Sequence, residues 1–136
     1  MANYRDDQTV AGSDDLWRHI HREQYIYDDN RRSWRPASCA FSDSSDGSAM
    51  SVTLGTEAAA AGVSARDCLR RRTHFVATFG FPVAAARDLG QGVHRDPTEL
   101  DPHHALVFGP KPKRFQRAIV KVGRWEYQPE GVAGGE

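Results

Sequence analysis

The chain has 136 residues, 39% of them apolar and 26% charged, with 18 Lys and Arg balanced by 18 Asp and Glu. That length suits one hydrophobic core rather than two domains, and the composition lies outside the range of disordered chains. A zero net charge argues against a dedicated nucleic-acid binder, although residues 1–60 hold ten acids and six bases and residues 61–136 hold eight acids and twelve bases.

Met1 to Ser13 is polar and without apolar periodicity, so residues 1–13 are expected to form a flexible N-terminal arm before a single domain over 14–127. Leu16 to His21 fits a strand or a short helix, and the aromatic and β-branched Tyr25-Ile26-Tyr27 reads as a strand closed by the turn-like Asp28-Asp29-Asn30. Arg35-Pro36 imposes extended backbone, after which Ala37 to Phe41 is expected as a short buried strand. Beyond the turn-rich Ser42 to Ser48, the alternation of Met50, Val52 and Leu54 predicts a strand over Ala49 to Leu54, the hairpin partner of Ala37 to Phe41.

Ser64 with Asp67 predicts the start of a short helix through Arg71. Thr73 to Phe79 reads as a central strand and Val83 to Leu89 as a helical turn or two ended by Gly90. Gln91 to His103, with two prolines, is expected to be a loop, and His104 to Phe108 a further strand. From Arg114 to Trp125, the apolar residues Phe115, Ala118, Ile119, Val122 and Trp125 follow the helical repeat. Gly123 and the β-branched Ile119 to Val122 leave an edge strand as the alternative. Residues 128–136, with three glycines, read as a flexible tail.

The expected fold is α+β: a small, mainly antiparallel sheet covered on one face by two or three short helices. Its core should draw on Trp17, Phe41, Val52, Leu54, Leu69, Phe75, Phe79, Leu106, Phe108 and Ile119. Cys39 and Cys68 show no metal spacing and no leader-like segment opens the chain, so reduced thiols and a cytoplasmic protein are expected. The most apolar stretch, Phe75 to Ala86, covers about half of a ~20-residue membrane span and is broken by Gly80 and Pro82.

Three sets of residues bear on function. Lys111, Lys113, Arg114, Arg117, Lys121 and Arg124 supply six bases without an acid. On a helix, Arg114, Arg117, Lys121 and Arg124 share one sector of about 80° beside the apolar face. Guanidinium groups bind phosphate oxygens bidentately, so this set predicts a non-enzymatic binding or accessory module that contacts nucleic acid or an acidic protein. The same pattern is also that of a solvated helix face whose arginine stems cover apolar surface.

The histidines form the second set. His19 and His21, two apart on a strand, would share a face, and His103 and His104 could complete a metal site with them; the alternative is ordinary surface or core histidines. The third set is an order of residues: Arg18 in Leu16-Trp17-Arg18-His19-Ile20, then Ser38 or Ser42 in Pro36 to Ser42, then Glu126. In this order the chain resembles ADP-ribosyltransferases. The resemblance implies an NAD-using enzyme in which Arg18 holds the diphosphate, the serine meets the ribose and Glu126 steadies an oxocarbenium-like transition state. No Gln or Glu stands two residues before Glu126, where this chain has Arg124.

Overall fold

The chain alternates strands with short helices in a computed structural model that describes residues 3–70 and 72–129. In order these are β1 (Asp15–His21), β2 (Tyr25–Asp28), β3 (Ser33–Pro36), β4 (Met50–Leu54), α1 (Gly55–Ala60), α2 (Ala65–Leu69), β5 (Phe75–Pro82), α3 (Val83–Asp88), β6 (Gly92–Arg95), β7 (His104–Phe108), α4 (Lys113–Val122) and β8 (Arg124–Tyr127). Six strands form one antiparallel sheet in the order β6-β7-β4-β1-β5-β8, and β2 pairs with β3 in a separate hairpin. The architecture is the expected α+β one, but the described residues form four short α-helices, divided between the two faces of the sheet, where two or three on one face were expected.

Strand alternation sets the two faces. Leu16, Ile20, Met50, Val52, Ala77, Phe79 and Phe81 join the main core beneath α3 and α4, with Phe115 and Ile119 contributed by α4. On the opposite face Trp17 packs against Ala58 of α1 and Ala65 of α2. The cap of α2 is the expected one: Ser64 accepts from the Asp67 amide at 3.1 Å, and the Asp67 carboxylate accepts from the Ser64 amide at 3.0 Å.

Several expectations are corrected. Ala37 to Phe41 is not a strand: Ser38–Ala40 forms a 3₁₀ turn. The amides of Ala40 and Phe41 donate to Ala37 and Ser38 carbonyls, so no edge is left to pair. Accordingly β4 has no partner there and lies between β1 and β7. Tyr25 to Tyr27 is a strand, but its partner is β3 rather than the main sheet.

Within the expected loop Gln91 to His103, Gly92–Arg95 pairs with β7, and the Phe108 ring covers the α-carbon of Gly92. The helix of Arg114 to Trp125 stops at Val122. At Gly123 the backbone passes so close to the Phe79 ring and the Gly80 carbonyl that no Cβ fits, and Trp125 then lies on β8. Of the expected core, Leu69, Phe75 and Phe108 are only half-buried.

The N-terminal segment is also packed where an arm was expected. Val10 is fully buried, the Tyr4 ring stacks on Phe108, and the Asp6 carboxylate accepts from Arg87 and from the Val93 amide. Of the expected C-terminal tail, residues 130–136 lie outside the described residues. No helix of the described residues is long and apolar enough to cross a membrane.

Candidate functional site

The basic segment is divided by the fold. The side chain of Lys111 is covered, its Nζ 2.6 Å from Asp43 and 3.1 Å from the Gly109 carbonyl, so it takes no part in a surface array. Arg124 lies on β8, off the helix, with Nη2 2.9 Å from Asp15 and Nε 3.2 Å from Glu126. The helix itself keeps four exposed cations: Lys113 and Arg114 in its first turn, and Arg117 and Lys121 further along. None of these four has a carboxylate within ion-pair distance among the described residues.

Arg117 and Lys121 face an open groove of about 470 Å³ between α4 and the β2–β3 hairpin. Across it stand Arg31 and Arg35, with Pro36, Ser38 and Val120 in the lining. Asp28 is the only acid among the described residues of that lining, and its carboxylate already lies 3.3 Å from Arg35 Nε. Local chemistry explains how Arg31 is held. Asp28 Oδ1 accepts from the amides of Asn30 and Arg31, an Asx-type turn, and Arg32 adopts a left-handed φ of 53°. Chain reversal at this turn carries Arg31 and Arg35 to the side of α4. The sequence pattern gives no sign of this pairing, because the hairpin and the helix are far apart along the chain.

The order of residues shared with ADP-ribosyltransferases does not assemble into a site. Arg18 alternates with Leu16 and Ile20 on the main-core face, its Nε donating to the Ala40 carbonyl at 2.9 Å and Nη1 to the Ser51 carbonyl at 2.8 Å. Burial lowers its pKa to about 10, partly offset by Asp43, so the guanidinium stays charged at neutral pH. Glu126 packs over Gly80, whose strand partner is Trp17, and so belongs to the opposite face of the sheet. Ser42 Oγ donates to the Cys39 carbonyl at 2.7 Å, and Ser38 lines the groove. Strand alternation thus separates the basic residue from the glutamate.

The histidine set is only half gathered. His19 and His104 line one small cavity of about 40 Å³ with Arg72, Asp101 and Phe75. His21 instead stacks on His74 with ring centroids 5.7 Å apart, because a bulge after Ile20 shifts its register, and His103 is not in the cavity lining. Among the described residues no group of three or more His, Cys, Asp or Glu side chains is placed to hold a metal ion.

His19 bridges two hydroxyls, Nδ1 to Thr78 Oγ1 at 2.9 Å and Nε2 to Thr53 Oγ1 at 3.1 Å. Burial, with Arg72 and Arg18 nearby, pushes its pKa down to about 3, so the ring is neutral and acts as a structural cross-strand link. His104 Nδ1 is likewise held, 3.1 Å from Asp96 Oδ2. Both ring nitrogens of His19 are thus bonded within the protein. Comparison of the chain with protein-family models, with curated proteins and with solved structures finds no match.

Proposed function

We propose that the groove between α4 and the β2–β3 hairpin binds an anionic partner, nucleic acid or an acidic protein surface, and that the protein acts as a binding or accessory module. The observation that carries this reading is the convergence of Arg31, Arg35, Arg117 and Lys121 on one open recess that has, among the described residues, a single, already paired carboxylate. Three of the four cations are guanidinium groups, whose planar forks match the oxygens of phosphate or carboxylate. Four cations held around one recess repel each other, and an anion between them relieves that repulsion.

Lys113 and Arg114 add positive charge at the positive end of the α4 dipole, which costs helix stability and strengthens attraction for an anion. The chain as a whole is neutral and its other charges are net acidic, so affinity is modest and falls with salt. The test is a quadruple variant, Arg31→Gln, Arg35→Gln, Arg117→Gln and Lys121→Gln, compared with the parent for binding to a labelled polyanion at low salt. The variant keeps its circular dichroism and loses binding. A control, Arg124→Gln, binds as the parent does, because Arg124 is engaged by Asp15 and Glu126. Equal binding by the quadruple variant would make the groove cations a solvated surface.

A further inference from the structure

The same hairpin that lends Arg31 and Arg35 to the groove carries a second recess, and the two together identify a partner class. Tyr25 and Trp34 stack in parallel, with ring centroids 4.5 Å apart and planes at 5°, and Tyr27 meets Trp34 edge-on at 5.4 Å. Trp125 anchors this pair to β8, its Nε1 donating to the Trp34 carbonyl at 3.0 Å while its ring meets Tyr25 edge-on. Rings fixed in this way lose little freedom when a further planar group joins them. Arg22, Tyr25 and Trp34 line a recess of about 400 Å³ with Val76 and Pro129, and no acidic side chain is in that lining among the described residues.

Trp34 of the aromatic recess and Arg35 of the cationic groove are consecutive residues of β3, whose side chains leave opposite faces of the strand. A ligand that reaches both must therefore pass round the edge of the hairpin, presenting negative charge on one side and flat, apolar rings on the other. An acidic protein surface offers the charge without the rings. A nucleic-acid duplex keeps its rings inside the stack.

We infer that the partner is single-stranded nucleic acid, its phosphates held by Arg31, Arg35, Arg117 and Lys121 and a base of the same strand received in the recess of Arg22, Tyr25 and Trp34. The inference rests on the proposed anion-binding role of the groove and adds a base contact to it. Aromatic side chains accept any base by its face, so binding distinguishes strandedness more than sequence.

The experiment measures binding of the full chain to four labelled probes at one low salt concentration. They are an unstructured single strand, the same strand built from abasic residues, the corresponding duplex and poly-glutamate. The single strand is expected to bind about tenfold more tightly than its abasic counterpart, in line with one stacked base. Arg22→Gln and Trp34→Leu should bring the two strands toward the same affinity. The abasic comparison uses the parent protein and does not depend on either variant folding. Abasic and base-bearing strands bound equally would overturn the base contact while leaving the anion-binding groove in place. Equal or tighter binding of the duplex or of poly-glutamate would also overturn it, and no binding of any probe would remove the groove reading as well.

Discussion

His19 is the residue whose environment departs furthest from its ordinary chemistry. Its folded pKa of about 3 lies far below the usual 6.5. Between those values the unfolded chain binds a proton that the folded chain refuses. The stability that follows is fully present above about pH 6.5 and is lost as the pH falls toward 3. Linkage puts the loss between pH 7 and pH 5 at about 2 kcal/mol from this residue. Urea unfolding of the parent and of His19→Gln over that interval checks it: the parent weakens steeply, while the variant, less stable at pH 7, shows a flatter profile. Parallel profiles would mean that His19 is protonated in the folded protein.

From the sequence, His19 reads as an ordinary surface or core residue more readily than as a metal ligand. Two hydroxyls from strands on either side decide between these readings, and their positions, Thr53 and Thr78, follow only from the pairing of β1 with β4 and β5.

Elements built by neighbours in sequence are legible before the fold is known, and those built by distant contacts are not. Helix α2 belongs to the first kind, since its capping box lies within four residues. Ser64→Ala should cost about 1 kcal/mol in chemical denaturation, with no change in the midpoint marking the cap as dispensable. The end of α4 belongs to the second kind. The apolar period runs on through Trp125, but close approach to Phe79 and the Gly80 carbonyl forces a break at Gly123.

Gly123→Ala, which would favour an isolated helix by about 1 kcal/mol, is expected to destabilise the protein by roughly 1–3 kcal/mol through overpacking. A stabilised variant would show that α4 can continue past Val122. The turn at Ser38–Ala40 shows the same limit. Phe41 is correctly read as buried, yet a run of Ala, Ser and Cys has little β preference, and the turn satisfies its own amides.

Over the whole molecule, the acids of the first half and the bases of the second are brought face to face. Asp43 takes Lys111 out of the basic segment and Asp15 takes Arg124. Asp6 and Asp7 in the N-terminal segment pair with Arg87 and Arg95, and Glu57 meets Arg95 with two contacts of 2.7 Å. This pairing accounts for a chain that is neutral in sum and uneven along its length.

Arg117 and Lys121 were legible as candidate partners from the helical repeat alone. Arg31 and Arg35 were not, because only the separate hairpin places them across the groove from α4. The expectation of a helix-borne array thus gives way to a shared recess with two cations from each side. Such a recess concentrates positive charge more than a single helix face does, and this makes its salt dependence informative.

The most direct measurement is the salt dependence of binding to a labelled single-stranded oligonucleotide, for the parent and for Arg117→Gln/Lys121→Gln. If all four groove cations neutralise phosphates, a plot of log K against log salt for the parent has a slope of about −3. Removal of the two α4 cations should make the slope shallower by about 1.4 and weaken binding at every salt concentration. The same slope and affinity in both proteins, or no binding by the parent at low salt, would contradict the groove as an anion-binding site.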